Sequence, residues 1–171
     1  MEVIFSNYSI LIVDDNEINI MLLRVILEEE RFRVYAATSA EEALAELATN
    51  EVDLILMDVM MPAVSGFELT EKLKSHERLR NIPIIFITEL SSPEDIVKGF
   101  DIGGCDYITK PFNPPELIRR IKHQVSLIHS RNVIIEQKSS LQEALENRDQ
   151  LYTSISHAIR SPISSLKMIL N

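Results

Sequence analysis

The chain has one cysteine, no tryptophan and only four glycines among its 171 residues. A single cysteine, Cys105, excludes a disulfide framework within the chain and favours a reducing, cytoplasmic setting. Basic residues are also scarce, since 17 Lys and Arg stand against 26 Asp and Glu, for a formal net charge of −9. This deficit disfavours nucleic acid and anionic membranes as broad partners, because both require basic patches.

Long hydrophobic runs are missing as well. No apolar stretch approaches the ~18 residues that a membrane-spanning helix needs, so we expect no membrane insertion. Residues 1–8 lack a basic region followed by a long apolar stretch, and we therefore predict no signal peptide. The length suits one domain with a remainder of about fifty residues.

Short apolar runs alternate with amphipathic segments along the first two thirds of the chain. Continuous apolar runs are typical of strands that are buried on both faces. They lie at Ile10–Val13, Leu54–Met57 and Ile84–Ile87, with weaker candidates at Arg33–Ala37 and Asp106–Thr109. Helix-start signals lie between these runs and after the last one, at Ser39, Ser92 and Asn113. The pattern predicts an α/β fold with a doubly wound, five-stranded parallel sheet.

Polar side chains follow four of the five predicted strands. They are Asp14, Asp15, Asp58, Thr88 and Lys110. Ligands of open parallel sheets bind at the carboxyl ends of the strands, so we expect these groups to form one site. Clustered carboxylates repel one another unless a cation lies between them, and oxygen ligands without His or Cys favour Mg²⁺. The set predicts phosphoryl transfer to an aspartate.

Four motifs carry a resemblance to a known family. They are I-V-D-D-N at 12–16, L-M-D-V-M-M-P at 56–62, F-I-T at 86–88 and D-Y-I-T-K-P-F at 106–112. From about Ser9 to Gln124 the chain resembles the receiver domain of two-component response regulators, and we assign residues 1–124 to it. The resemblance implies the flavodoxin-like strand order 2-1-3-4-5, a cis peptide between Lys110 and Pro111, and a turn at Gly66 before the third helix.

The resemblance also implies roles for the site residues. Asp58 would accept the phosphoryl group, which Thr88 and Lys110 would contact. The implied ligands of Mg²⁺ are Asp14, Asp15, Asp58 and the backbone carbonyl of Met60. The implied partner is a phosphodonor, either a histidine kinase or a phosphotransfer protein.

A conformational switch is implied as well. The Thr88 hydroxyl would move toward a new phosphoryl group, and the Tyr107 ring would turn into the vacated space. The alternative for Tyr107 is an ordinary amphipathic ring at the surface. Glu89 departs from the family, in which the residue after the threonine is usually small. Its carboxylate either narrows access and disfavours a phosphoanion, or points to solvent.

Residues 116–160 contain neither glycine nor proline. Apolar or neutral residues recur at alternating spacings of four and three, at Ile121, Val125, Ile128, Asn132 and Ile135. After a phase shift near Lys138 the pattern resumes at Leu141, Leu145, Tyr152, Ile155 and Ile159. It predicts one long helix with a coiled-coil seam, which forms a parallel homodimer and which we assign to residues 125–152. The alternative is two shorter helices with a loop near Gln137–Ser140.

The segment Ser154–Leu166 is similar to the H box of sensor histidine kinases. The similarity implies that His157 accepts a phosphoryl group and that Pro162 bends the helix beyond it. Ala158, however, stands where that family has an acidic residue. We assign 153–171 to a partial dimerisation and histidine-phosphotransfer helix. Without a glycine-rich nucleotide-binding motif, the chain alone is not expected to be an ATP-dependent kinase, and we expect it to be part of a larger one.

The leading hypothesis is therefore a phosphorelay module that signals through a dimeric helix. An alternative from another class is a dimeric interaction scaffold whose receiver is rarely phosphorylated. A third is a phosphotransferase that moves a phosphoryl group between Asp58 and His157. No helix-turn-helix pattern or basic stretch follows the receiver, which disfavours a DNA-binding output.

Overall fold

The computed structural model describes residues 2–169, so Met1, Leu170 and Asn171, at the ends of the assigned ranges, lie outside the described residues. The chain divides into two compact units, Met1–Ile128 and His129–Asn171, which are called the first and the second unit. The boundary falls four residues after the predicted end of the receiver at residue 124.

Strands and helices alternate along the first unit, and its last helix continues through the second. The strands are β1 (Ser9–Val13), β2 (Arg33–Ala37), β3 (Leu54–Met57), β4 (Ile84–Thr88) and β5 (Asp106–Thr109). The helices are α1 (Glu17–Glu29), α2 (Ala40–Thr49), α3 (Gly66–Ser75), α4 (Pro93–Asp101) and α5 (Pro114–Ile169), and a 3-10 turn at Phe5–Asn7 precedes β1.

All five strands are parallel and lie in the order β2-β1-β3-β4-β5. The predicted fold and strand order are thereby confirmed. Every residue of β1, β3 and β4 is buried, which accounts for their unbroken apolar runs. The weaker signal of Arg33–Ala37 has a structural reason, because β2 is an edge strand and most of its residues are only partly buried.

The sheet has a hydrophobic core on each face. Successive side chains of a strand point to opposite faces, so Ile10 and Ile12 belong to one core, while Leu11 and Val13 belong to the other. The first core also contains Leu117, Ile121 and Val125 of α5, and the second contains Phe67 of α3.

The helices begin where the sequence predicts, because side chains cap their first free N–H groups. The Ser39 hydroxyl accepts from the Glu42 N–H, and the Ser92 hydroxyl accepts from the Asp95 N–H at 3.1 Å. Asn113 Oδ1 accepts from the Glu116 N–H at 3.2 Å. Each cap satisfies a donor that no helical carbonyl reaches, and such caps stabilise a helix by about 1 kcal/mol.

One continuous helix, α5, covers 56 residues, and the alternative loop near Gln137–Ser140 is absent from it. Pro162 lies inside the helix. The predicted seam needs a correction at its beginning. Ile121 and Val125 are fully buried in the core of the first unit, so they cannot contact a partner helix. A spacing of four suits a helix face against a sheet as well as one against another helix.

From residue 134 to residue 169, the described part of the helix of the second unit has no buried face. Every residue from 134 to 169 is exposed, including the apolar ones. The exposed apolar side chains of this segment are Ile134, Ile135, Leu141, Leu145, Leu151, Tyr152, Ile155, Ile159, Ile163, Leu166, Met168 and Ile169. They form what we call the apolar stripe. Among the described residues, no helix combines the length and the apolar character needed to cross a membrane.

Candidate functional site

Three carboxylates gather at the carboxyl ends of two neighbouring strands. Asp14 follows β1 and Asp58 follows β3, and these strands pair in register up to Val13 and Met57. Asp14 and Asp58 are 2% and 7% exposed, whereas Asp15 is exposed to solvent. One oxygen from each of the three carboxylates lies within 4.8 Å of the others. The structure therefore brings together the acidic residues that the sequence predicts.

The backbone fixes the positions of the two buried aspartates. The Asp14 N–H donates to the carbonyl of Ala37 at 3.1 Å, and the Asp58 N–H donates to the carbonyl of Val13 at 2.8 Å. Each aspartate thus continues the hydrogen-bond pattern of the strand that it follows. Gly66 lets the backbone of α3 approach Asp58 closely. A Cβ at this position would lie 2.1 Å from the carbonyl oxygen of Asp58. Gly66 is the first residue of α3, so close backbone approach, rather than the predicted turn, explains the glycine.

Side chains and loop amides hold the carboxylates in turn. Asp14 Oδ1 accepts from the Asn16 N–H at 2.8 Å, and Asp14 Oδ2 accepts from Asn19 Nδ2 at 3.1 Å. Asp58 Oδ1 accepts from the Met60 N–H at 3.2 Å, and the Met60 side chain is exposed. Sequence reasoning missed Asn16 and Asn19. Their signal was their position, directly after the acidic pair and one helical turn farther on.

The Lys110 ammonium contacts both buried carboxylates. Its Nζ lies 2.9 Å from Asp14 Oδ2 and 3.3 Å from Asp58 Oδ2. Burial by itself lowers the pKa of Lys110, but the hydrogen bond to Asp14 and the charge of Asp58 raise it overall. Burial raises the pKa of Asp58, against the opposing charge of Lys110. The peptide bond between Lys110 and Pro111 is cis, as the resemblance implied.

Thr88 ends β4 beside β5 and is completely buried. Its carbonyl accepts from the Lys110 N–H at 2.8 Å, which joins the two strand ends. Its Oγ1 accepts from the Leu90 N–H at 3.4 Å. The predicted hydroxyl therefore lies at the same edge of the sheet as the carboxylates.

The Tyr107 ring is buried, with 8% of the residue exposed. Its hydroxyl donates to the carbonyl of Leu90 at 2.9 Å, and its ring centroid lies 6.0 Å from that of Phe86. A Cβ at Gly99 would lie 3.1 Å from the Tyr107 ring, so this glycine lets α4 approach closely. Burial, together with the nearby charges of Asp95 and Asp58, raises the pKa of Tyr107 to about 12. The alternative of a surface ring is not what the structure shows.

A cavity of about 580 Å³ adjoins the site. It is lined by Asn16, Asn19, Leu22, Glu89, Lys110, Pro111, Phe112 and Pro114. Lys110 belongs to both the cavity and the carboxylate cluster. Glu89 is exposed to solvent and lines the cavity together with Lys110. His157 is an exposed residue of the second unit and does not belong to the cluster.

Comparison with known proteins agrees with this geometry. A sequence profile of the response regulator receiver domain matches residues 10–122. The chain belongs to this receiver family. A transcriptional regulatory protein of Bacillus subtilis, YvrH, is 46% identical over 118 residues, which are 68% of this chain and 48% of that protein. A probable cyclic di-GMP phosphodiesterase of Vibrio cholerae is 34% identical over 161 residues, which are 94% of this chain and 36% of that protein.

Solved structures agree as well. The signal receiver domain of a signal transduction histidine kinase from Syntrophus aciditrophicus has a TM-score of 0.65 and 37% identity. That match covers 70% of this chain and 90% of the solved domain. The chain spans half or less of the length of the two curated relatives named above. Receiver domains generally use Mg²⁺ with an acidic pocket, and this receiver has the acidic cluster. They generally take phosphoryl groups from histidine kinases or phosphotransfer proteins.

Proposed function

We propose that the receiver accepts a phosphoryl group on Asp58, in the cytoplasm, from a histidine kinase or a phosphotransfer protein. The observation that carries this proposal is the placement of Asp58. Its carboxylate is buried at a strand end, within 4.8 Å of two other carboxylates and 3.3 Å from the Lys110 ammonium. Phosphoryl transfer to an aspartate requires a positioned nucleophile and positive charge near the phosphoryl oxygens, and Lys110 offers that charge.

The donor set fits a magnesium ion. It consists of carboxylate oxygens, two of them on buried residues, and lies at one edge of the sheet. Mg²⁺ prefers such oxygen ligands and binds through one or two carboxylates and phosphate oxygens. We assign Asp14, Asp15, Asp58 and the carbonyl of Met60 as its ligands. When bound, Mg²⁺ neutralises negative charge on the phosphoryl oxygens and on the acidic cluster.

The reaction follows from the positions of these side chains. A carboxylate oxygen of Asp58 forms a bond to phosphorus while the P–N bond of the donor's phosphohistidine breaks. The electron pair of that bond returns to the imidazole nitrogen. Lys110, already 3.3 Å from Asp58, offers its positive charge to the phosphoryl oxygens, and the Thr88 hydroxyl offers a hydrogen bond.

Leu90 gives the proposed switch a physical basis. Its N–H donates to Thr88 Oγ1, and its carbonyl accepts from the Tyr107 hydroxyl. When the Thr88 hydroxyl turns toward a phosphoryl group, the contact with the Leu90 N–H changes first. The backbone of Leu90 and the Tyr107 ring then adjust, and the surface around α4 and β5 changes with them.

We propose that the second unit carries this signal as a parallel homodimer. The support is the apolar stripe, which no described residue covers. The Vibrio cholerae relative aligns over 94% of this chain, and therefore through most of the helix, which supports a role for this helix as a connector between the receiver and an output. The solved receiver domain of a histidine kinase supports a kinase as the whole protein.

His157 is the residue that we propose as a second phosphoryl acceptor, in the output part of the protein. Its support is the sequence similarity of residues 154–166 to an H box and its exposed position. Ala158 removes the neighbouring acidic residue that would serve as a base. If Ala158 is the cause of a defect, a supplied kinase core will label an Ala158→Glu variant at His157 and leave the wild type unlabelled.

Acetyl phosphate provides the direct test of Asp58. The full chain is incubated with Mg²⁺ and acetyl phosphate, and incorporation of phosphate is followed by intact mass spectrometry. We expect one phosphoryl group on the wild type and none on an Asp58→Asn variant, because the amide is not a nucleophile. An Asp53→Asn variant is the control, since Asp53 lies at the opposite end of the strands and holds Ser9. Equal labelling of the Asp58→Asn variant overturns the assignment.

The dimeric scaffold is a second candidate, and the observation that favours it is Glu89. Its exposed carboxylate lines the cavity beside Lys110, where it opposes the approach of anions. Beryllofluoride separates the two candidates. A phosphorelay receiver binds it in the presence of Mg²⁺ with a change at Tyr107, which NMR detects. A scaffold gives no response at Tyr107 or in the dimer.

A further inference from the structure

Asp14 is the least exposed carboxylate of the acidic cluster, at 2%. Three groups donate to it. The Asn16 N–H donates to Oδ1 at 2.8 Å, the Lys110 ammonium donates to Oδ2 at 2.9 Å, and the Asn19 side-chain amide donates to Oδ1 at 3.3 Å and to Oδ2 at 3.1 Å. Of these three donors, only Asn19 contacts both oxygens. Contacts to both oxygens fix the plane of a carboxylate, whereas a contact to one oxygen leaves the group free to rotate.

The Lys110 ammonium is a temporary partner of Asp14 in the proposed reaction. It lies 2.9 Å from Asp14 and 3.3 Å from Asp58, and during the reaction its charge serves the phosphoryl oxygens. The ammonium is also repelled by a divalent cation that binds the same carboxylate, because like charges at short distance repel strongly away from bulk water. The Asn19 amide is uncharged, so this repulsion does not act on it.

Helix α1 brings Asn19 to Asp14. Its first turn is capped, since the Ile18 N–H donates to Asn16 Oδ1 at 2.9 Å. Asn19 lies in this turn and is half-buried, and the next residue, Ile20, packs into one of the two hydrophobic cores. The cap and the core hold the backbone of Asn19 from both sides. Its side-chain amide is therefore a donor with a fixed origin.

We infer that Asn19 is a positioning residue for the magnesium site, because it keeps the Asp14 carboxylate oriented toward the metal after Lys110 turns to the phosphoryl group. Hydrogen-bond partners of ligating carboxylates orient them in this way, and their removal weakens metal binding about ten- to a hundredfold. This inference rests on the proposed binding of Mg²⁺ at Asp14. It adds a residue that lies outside the assigned ligands.

Titration of the full chain with Mg²⁺ tests the inference without any phosphodonor. Asn19→Leu keeps the branched shape of the side chain and removes the donor, and Asn19→Ala removes the donor without adding apolar bulk. We expect each variant to raise the dissociation constant of Mg²⁺ about tenfold, as measured by isothermal titration calorimetry. Urea denaturation in EDTA checks that both variants are folded before the titration.

Asn50→Leu is the matched control. The Asn50 side-chain amide also donates to a carboxylate, Glu46 Oε2, at 2.7 Å. Asn50 lines a cavity with Asp53, which directly precedes β3, so this contact lies at the opposite end of the strands from Asp14. We expect Asn50→Leu to bind Mg²⁺ with the affinity of the wild type.

The wild type provides a second measurement that depends on no variant. Solvent exchange of the Asn19 side-chain amide protons, followed by NMR, reports whether the amide stays on the carboxylate. We expect exchange to be as slow at saturating Mg²⁺ as in EDTA, because the amide keeps donating to Asp14. Faster exchange at saturating Mg²⁺ shows that the amide has left Asp14, and it overturns the inference even if the variants do not fold.

The calorimetric outcomes separate this inference from the proposed function. Equal Mg²⁺ affinity of the wild type and both Asn19 variants removes the inference alone, since the metal site is then intact without the amide. If only Asn19→Leu weakens binding, apolar bulk is the cause, and if Asn50→Leu weakens it as much, the effect is not local to the site. Either result overturns the inference. A wild type that does not bind Mg²⁺ contradicts the proposed magnesium site itself.

Discussion

The two units contain the same kind of apolar periodicity in α5 but differ in how far they bury its side chains. In α5, Ile121 and Val125 are fully buried in the first unit, whereas Ile155 and Ile159 in the second unit are 46% and 55% exposed. The first unit buries these apolar side chains in its own core, whereas the second unit leaves them exposed to solvent. The difference teaches that periodicity in a helix indicates a buried face without indicating what buries it. The apolar residues of the receiver core are buried within the chain, and the apolar stripe is the surface that we propose for interaction.

Truncation of one isoleucine in each unit is the strongest way to break this comparison. We expect Ile121→Ala to lower the free energy of unfolding of the receiver by about 3 kcal/mol, because it leaves a cavity in a packed core. Ile155→Ala should change that free energy by less than about 0.5 kcal/mol, as is usual for exposed positions. Urea denaturation followed by circular dichroism measures both.

The same two variants should affect dimerisation in the opposite order from their effects on stability. If the apolar stripe forms the proposed dimer, Ile155→Ala weakens it, and Ile121→Ala does not, as long as the receiver stays folded. Sedimentation equilibrium measures the dimer. A receiver that tolerates Ile121→Ala as well as Ile155→Ala contradicts the division into a buried and an exposed face.

The reactivity of a thiol with an alkylating agent measures how strongly the first unit shields a buried side chain from water. Burial, with the charge of Asp106 nearby, raises the pKa of Cys105 to about 11. At pH 8 we expect iodoacetamide to alkylate Cys105 about a hundredfold more slowly than a cysteine with an ordinary pKa, because only the thiolate reacts. Because the pKa of Cys105 is raised, the fraction of thiolate and therefore the alkylation rate should increase as the pH approaches 11.

An exposed cysteine in the second unit is the internal standard for that measurement. Ser156→Cys places a thiol on an exposed position, and mass spectrometry of the peptides follows both cysteines in one sample. Equal alkylation rates at pH 8 show that Cys105 is not shielded in the way that its burial implies.

Removal of a tyrosine hydroxyl from each unit gives the smallest expected difference in the free energy of unfolding. Tyr107→Phe removes the hydroxyl that donates to the Leu90 carbonyl at 2.9 Å, and we expect the free energy of unfolding to fall by about 1 kcal/mol. Tyr152→Phe, on an exposed position of the second unit, should leave it unchanged. Circular dichroism in urea compares the two. Matching effects indicate that the Tyr107 hydroxyl contributes nothing to the stability of the receiver.

The fold and the acidic cluster were predictable from local signals. Buried parallel strands are uninterrupted apolar runs, and the residue after each run lies at one edge of the sheet. Asp14, Asp58 and Lys110 could therefore be assigned to one site before any coordinates. Their neighbours could not be assigned in the same way. The Leu90 carbonyl that receives the Tyr107 hydroxyl belongs to a loop, and no periodicity determines where a loop carbonyl points.

The errors have physical reasons as well. The spacing places Ile121 and Val125 in the predicted seam, because packing on a sheet and packing on a helix require the same spacing. The resemblance predicts a turn at Gly66, whereas the glycine leaves room for the backbone of Asp58. A close approach between residues eight positions apart depends on tertiary structure, and a single glycine does not reveal it.

The backbone hydrogen bonds of Asp14 and Asp58 have a consequence for the kinetics of a signalling protein. Both aspartates are anchored by the next hydrogen bonds of the sheet, to Ala37 and Val13. In the proposed reaction, a donor therefore meets Asp58 with its main chain already ordered, and little conformational entropy is lost on binding. Evolution of the surrounding loops can then change which donor is accepted while the acceptor itself stays in place.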